Sequence, residues 1–211
     1  MESNMNIKTR MTAAAGALAL ALTLAACGDS ADTQIPGTQA SPEQTAAGSS
    51  TVDADHNDAD VVFAQMMIVH HQGAIEMAGL AVEKASTQEV GTLGERISAA
   101  QGPEIDQMSS WLTAWGEDSA ADADMEGMDH GGMDMGGMDM PAAMAELDEL
   151  SGPEFDRAFL ELMTEHHNGA IEMTQTELDN GANPQALALA DKIIEDQTAE
   201  IAEMEQMLQD L

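Results

Sequence analysis

The chain has 211 residues, with 39 Asp and Glu against six Lys and Arg, a net charge of −33, and 18 methionines beside three Phe, two Trp and no Tyr. So acidic a surface repels nucleic acid and anionic lipid headgroups and gathers cations, which excludes nucleic-acid binding. A single cysteine excludes an internal disulfide, and methionine is the compositional excess that needs a cause.

Residues 1–26 read as a lipoprotein signal peptide. Lys8 and Arg10 precede an apolar run from Met11 to Leu24, which ends in Leu24-Ala25-Ala26-Cys27-Gly28. A basic start, a short apolar stretch and a small-residue box describe an export signal, and the run is too short for a comfortable membrane span. The box resembles a bacterial lipobox, which implies that Cys27 is acylated and anchors the exported protein to the cell membrane, facing the periplasm or the extracellular side. No thiol then remains, so any metal must be held by His, Met, Asp or Glu. Residues 27–56 are rich in Ser, Thr, Ala, Asp, Gln and Gly without an apolar period, and read as a disordered tether.

Residues 57–211 read as one all-α domain, built from an internal repeat. The segment Phe63-Ala-Gln-Met-Met-Ile-Val-His-His-Gln-Gly-Ala-Ile-Glu-Met77 returns, 96 residues on, as Phe159-Leu-Glu-Leu-Met-Thr-Glu-His-His-Asn-Gly-Ala-Ile-Glu-Met173. The same offset carries Ile97, Gln101, Glu104, Ile105 and Met108 onto Ile193, Gln197, Glu200, Ile201 and Met204. Apolar residues recur at three and four, which predicts helices over about 57–84, 87–115, 152–180 and 184–210. Ser86-x-x-Glu89 and Ser151-x-x-Glu154 have the pattern of capping boxes, and Asn183-Pro184 suits an N-cap and first turn. Two hairpins, 57–115 and 144–211, then make a four-helix bundle. Gly102-Pro103 stands where the second repeat has Thr198-Ala199, which predicts a kink.

At 100° per residue, Phe63, Met66, His70, Ala74, Met77 and Ala81 share the inner face of the first helix, with Met67 and His71 on its flank. Phe159, Leu162, His166, Ala170 and Met173 repeat this, with Met163 and His167 on the flank. Gln101 with Met108, and Gln197 with Met204, are central on the partner helices, and Glu104 and Glu200 lie at the stripe's edge. Two readings of this inward set stand: a core polar network in which His bonds Gln, and a metal site. Di-iron bundles use Glu-x-x-His; here Met67-x-x-His70 and Met163-x-x-His166 put a soft thioether in the carboxylate's place, which favours Cu(I) over iron or manganese.

Residues 116–143 form a Met/Gly/Asp-rich connector. Met125, Met128, His130, Met133, Met135, Met138 and Met140 fall within sixteen residues that have neither helical nor strand period. Flexibly linked thioethers can wrap Cu(I) or Ag(I) and need no deprotonation, while the acidic residues suit Cu(II). An oxidant-scavenging tract is the alternative.

The paired His-His-x-Gly-Ala-Ile-Glu-Met and Gln-x-x-Glu-Ile-x-x-Met motifs resemble the family called domain of unknown function 305, which is ferritin-like and includes CopM-like exported copper-binding proteins. The resemblance covers about 57–210. It implies a ferritin-like four-helix bundle outside the cytoplasm, a copper-binding or resistance role, and ligands among Met66, Met67, His70, His71, Met77, Met108, Met163, His166, His167, Met173 and Met204. Leu162 stands where the first repeat has Met66, one thioether fewer. The expected function is a lipid-anchored copper buffer or chaperone, with a copper-transfer partner whose docking face is basic. No Glu-x-x-His pair, cysteine ligand or cofactor motif is present, so binding without catalysis is expected. A ferritin-like metal oxidase and a metal-free helical interaction module are the alternatives.

Overall fold

The computed structural model describes residues 51–119 and 138–211. Five helices fill this part of the chain: α1 (Asp58–Lys84), α2 (Gln88–Trp115), α3 (Met140–Glu149), α4 (Gly152–Asn180) and α5 (Pro184–Asp210). The four long ones follow the expected spans to within a residue. The signal segment, Cys27 and most of the connector, including Met125, Met128, His130, Met133 and Met135, lie outside the described residues. None of the described helices is long and apolar enough to cross a membrane.

The α1–α2 and α4–α5 hairpins meet through α1 and α4, which pack together at the centre of an all-α four-helix bundle. These two run antiparallel. Asn57, which caps α1, donates from Nδ2 to the carbonyl of Asn180 at the end of α4. At the other end Lys84 Nζ lies 5.3 Å from the ring centroid of Phe155 in the first turn of α4.

The duplication is visible in how the hairpins pin each other. Asp156 of α4 accepts from the backbone N–H of Ser86 (2.8 Å) and Thr87 (2.9 Å), and from both hydroxyls. Asp60, its counterpart 96 residues earlier, accepts from the N–H of Asn183 at 2.8 Å and Ala182 at 3.0 Å. Each aspartate thus satisfies the free donors at the turn of the opposite hairpin, where a helix start would otherwise leave them unpaired. The expected Ser86–Glu89 box is not formed for this reason: Thr87 is the N-cap, and both hydroxyls are taken by Asp156. Ser151 caps α4 without a side-chain bond. Asn183 does cap α5, with Pro184 following, and α1 opens with a capping box between Asn57 and Asp60 that the sequence reading does not contain.

Helix α2 continues through Pro103 from Gln88 to Trp115. Gly102 eases this, because the usual clash of a proline ring with the preceding Cβ has no Cβ to meet. Residues 51–56, expected as tether, lie across one end of the bundle. Trp115 Nε1 donates to Asp53 O at 2.8 Å, His56 stacks on Trp115, and Asn183 Nδ2 donates to Asp55 O.

Helix α3 is the element that the sequence reading leaves out. Asp139 caps it, accepting from the Ala142 N–H, and a proline sits in its first turn. Ala143 and Leu147 are buried, and Lys84 Nζ donates to the carbonyls of Leu147 and Asp148 at its C-terminal end. Both features suit a helix too short to persist alone.

Candidate metal centre

The core falls into two apolar clusters separated by a polar layer. One cluster takes Phe63, Ala64, Met66, Met67 and Ile68 from α1 with Ala170 and Met173 from α4; the other takes Ala74, Met77, Ala78 and Ala81 with Phe155, Phe159, Leu160 and Met163. Met108 belongs to the first cluster and Met204 to the second. Between them, where α1 crosses α4, stand His70, His71, His166 and His167, with Gln101, Glu104, Gln197 and Glu200 from the flanking helices.

His70 and His166 meet ring to ring, with centroids 3.6 Å apart and planes inclined by 38°. Both are about 3 % exposed. Neither ring nitrogen of His70 has a hydrogen-bond partner, nor has Nδ1 of His166. Burial, followed by the neighbouring His166, His71 and His167, holds the His70 imidazole well below its ordinary range. Burial, then His167 and His71, depresses His166 to about 3. Both are therefore neutral at physiological pH, with lone pairs free, which is the state a metal ion requires of imidazole.

His71 and His167 are fully buried and differently employed. His71 Nε2 donates to Glu104 Oε2 at 2.8 Å, and His167 Nε2 donates to Glu200 Oε2 at 2.7 Å. A carboxylate only accepts, so Nε2 of each ring carries a proton; both Nδ1 atoms are buried without a partner. A carboxylate behind a histidine fixes its tautomer and raises its basicity as a ligand. Burial tends to raise the Glu104 pKa, but the bonds from His71 and Lys192 outweigh it and keep the carboxyl below its usual value. Lys192 Nζ reaches Glu104 Oε1 at 2.8 Å. The repeat equivalent of Lys192, Arg96, pairs instead with Glu203, so the cation beside Glu104 has no counterpart at Glu200.

Glu104 and Glu200 are the residues of the candidate site that sequence reasoning left out. It placed them at the edge of the apolar stripe and saw no inward carboxylate. The signal was present: each lies 33 residues after the second histidine of its own half. The His–Gln pairing considered for the core is not made, since the side-chain oxygens of Gln101 and Gln197 are buried without partners.

The remaining candidates are distributed around this layer. Met66, Met67, Met77, Met108, Met163, Met173 and Met204 are all buried, and Met67 and Met163 stand one helical turn from His70 and His166. Thr164 Oγ1 lies 3.8 Å from Met204 Sδ. Met138 and Met140, from the end of the connector, pack against the second cluster. Among the described residues no three His, Cys, Asp or Glu side chains are gathered as a metal site. The thioethers around the histidine pair are soft donors suited to Cu(I).

Comparison with known proteins agrees with this architecture. The profile described as domain of unknown function DUF305 matches residues 60–208. A DUF305 protein from Streptomyces coelicolor, named as secreted, superposes with a TM-score of 0.67 at 32 % identity, covering 72 % of this chain and 93 % of that one. A DUF305 fragment from Deinococcus radiodurans gives a TM-score of 0.64 at 34 % identity, covering 74 % and 98 %. CopM in its Cu(II)-bound form gives 0.59 at 35 %, covering 72 % and 96 %, and CopM structures with Cu(I) and with silver are similar as well. No curated protein sequence matches significantly. With the profile spanning both repeats, the chain belongs to the DUF305 family.

Proposed function

We propose that this chain is an exported copper-binding protein, a buffer, chaperone or resistance factor that holds Cu(I), and accepts Ag(I) or Cu(II), through histidine and methionine. The observation that carries the reading is the facing pair His70 and His166, neutral and with three of its nitrogens buried and unpartnered. A buried polar atom without a partner costs about 1–3 kcal/mol, and an arrangement meant only for structure would have paired them. Carboxylates behind His71 and His167, and methionines one turn from the pair, are the surroundings that a soft-metal site uses. The Cu(I), Cu(II) and silver forms of the similar CopM point to the same ions. Anchoring through Cys27 and capture by the connector methionines belong to this reading, which is one of binding without turnover.

An anaerobic Cu(I) competition titration of residues 28–211 tests it. A parallel variant carries serine at Met125, Met128, Met133 and Met135, and leaves Met138 and Met140, which pack against the bundle. Tight binding by the parent and a smaller retained stoichiometry in the variant support loop and bundle sites together. If neither competes with a modest chelator, the histidines are core structure and the reading is wrong. Steady-state oxygen consumption in the presence of Cu(I) would overturn the absence of turnover.

A further inference from the structure

Gly73 and Gly169 occupy equivalent positions in the two repeats, one turn beyond the histidines, and small residues there suggest close helix approach. At Gly73 the neighbour is something else. A Cβ built on it would lie 3.0 Å from Met140 Cε, 3.4 Å from Met140 Sδ and 3.3 Å from His166 Nε2. The methionine sulfur and the histidine nitrogen thus converge on one point that is open only because residue 73 has no side chain.

Met140 is held there by construction. It is the first residue of α3, preceded by the capping Asp139. The other end of α3 is fixed by Lys84, which donates to Leu147 O at 2.6 Å and Asp148 O at 2.8 Å. Helix α3 packs on both α1 and α4, so the backbone that carries Met140 is fixed against both histidine-bearing helices. His166 Nδ1 is buried and unpartnered, and the neutral ring has a lone pair to give on either nitrogen, according to tautomer.

We propose that Met140 is a thioether ligand of the buried histidine site, sharing the ion with His166 through the gap that Gly73 leaves in α1. This rests on the soft-metal reading above and extends it. The connector then ends inside the bundle site, and an ion caught by its other methionines has a donor in common with the histidine pair. Gly73 is the positioning residue, because a Cβ there would crowd the Met140 thioether and His166 Nε2 alike.

The test is Ag(I) titration of the full-length chain, followed by the ring ¹⁵N resonances of His70 and His166, in the parent, in Met140→Leu and in Gly73→Ala. Leucine keeps the bulk and removes the sulfur; alanine keeps the connector native and fills the gap between the sulfur and the His166 ring. In the parent the resonances are expected to shift early in the titration. In both variants the Ag(I) needed should rise about tenfold or more, a change equivalent to the loss of one modest contact. Should leucine disturb α3, the alanine variant gives the same answer with Met140 in place. If both variants titrate like the parent, Met140 is only packing and the inference is overturned while the metal reading stands. If the parent's histidine resonances do not respond at all, the metal reading falls first and this inference with it.

Discussion

His70 and His166 face each other across the α1–α4 crossing at 3.6 Å, and three of their four nitrogens are buried with nothing to bond. In a metal-free protein this is a cost, since burial without a partner forfeits the hydration of each polar atom. Replacing His70 by leucine removes two unpaired nitrogens and keeps a side chain of similar size. The metal-free variant is expected to be more stable by about 1 kcal/mol, which raises Tm by roughly 2–4 °C for a domain of this size. It should also lose most of the stabilisation that Ag(I) gives the parent. Thermal melts with and without Ag(I) check both halves; a large loss of metal-free stability would show that the pair is structural.

Among the described residues Glu200 bonds to His167 alone, at 2.7 Å, whereas Glu104 is shared with Lys192. Glu200→Gln therefore isolates the effect of charge behind a histidine. Glutamine can still accept from Nε2–H, so the ring keeps its orientation, but the imidazole becomes a less basic donor. Metal affinity at the bundle site is expected to fall by about tenfold, the lower end of what such partners contribute. Metal-free stability should move far less. Competition titration beside a urea melt separates the two.

The four long helices were legible because their apolar residues hold a 3.6 period and because the repeat at 96 residues reads the same pattern twice. The inward direction of His70 and His166 followed from the same geometry. What a helical wheel cannot give is the neighbour that arrives from another helix. Glu104 and Glu200 sit at the edge of the stripe, yet their side chains are long enough to turn in to His71 and His167. Asp60 and Asp156 lie near helix starts, where acidic residues are ordinary, so only the fold reveals that they cap the opposite hairpin. Helix α3 is short and begins in a methionine-glycine run with no period of its own; burial of Ala143 and Leu147 and the bonds from Lys84 hold it. The contact of Met140 with Gly73 was hidden for the same reason.

Asp156 accepts four hydrogen bonds from Ser86 and Thr87 and is fully buried. Asp156→Ala leaves two backbone N–H groups and two hydroxyls at the α1–α2 turn without that acceptor. The expected destabilisation is about 2–4 kcal/mol, larger than for an ordinary exposed cap because the turn is pinned between hairpins. Chemical denaturation measures it. A loss below about 0.5 kcal/mol, the range of surface substitutions, would show that water replaces the carboxylate.

The second half carries an acid that the first half lacks: Glu177 stands where the repeat has Ala81. It is fully buried, folded back over Gly181 and beside Asp60. Burial, then the neighbouring Asp60, pushes its pKa up to about 8, whereas backbone N–H bonds from Asn183, Asn57 and Ala182 overcome burial and keep Asp60 low. Glu177 is thus the protonated member of the pair at neutral pH, beside an ionised Asp60, and its carboxyl oxygens are buried without a hydrogen-bond partner. In the unfolded chain Glu177 would ionise near the ordinary glutamate value of about 4.3. Between that pH and about 8 the folded protein holds a proton that the unfolded chain has lost, so stability falls as pH rises across this window. Above pH 8 the native state must bury a second carboxylate beside the first. Glu177→Gln keeps the shape of the side chain and has no proton to lose. The two proteins should be nearly equal in stability near pH 5, and the variant the more stable at pH 9. Urea melts across pH 5–9 check this; curves that stay parallel would mean that Glu177 is ionised in the folded state.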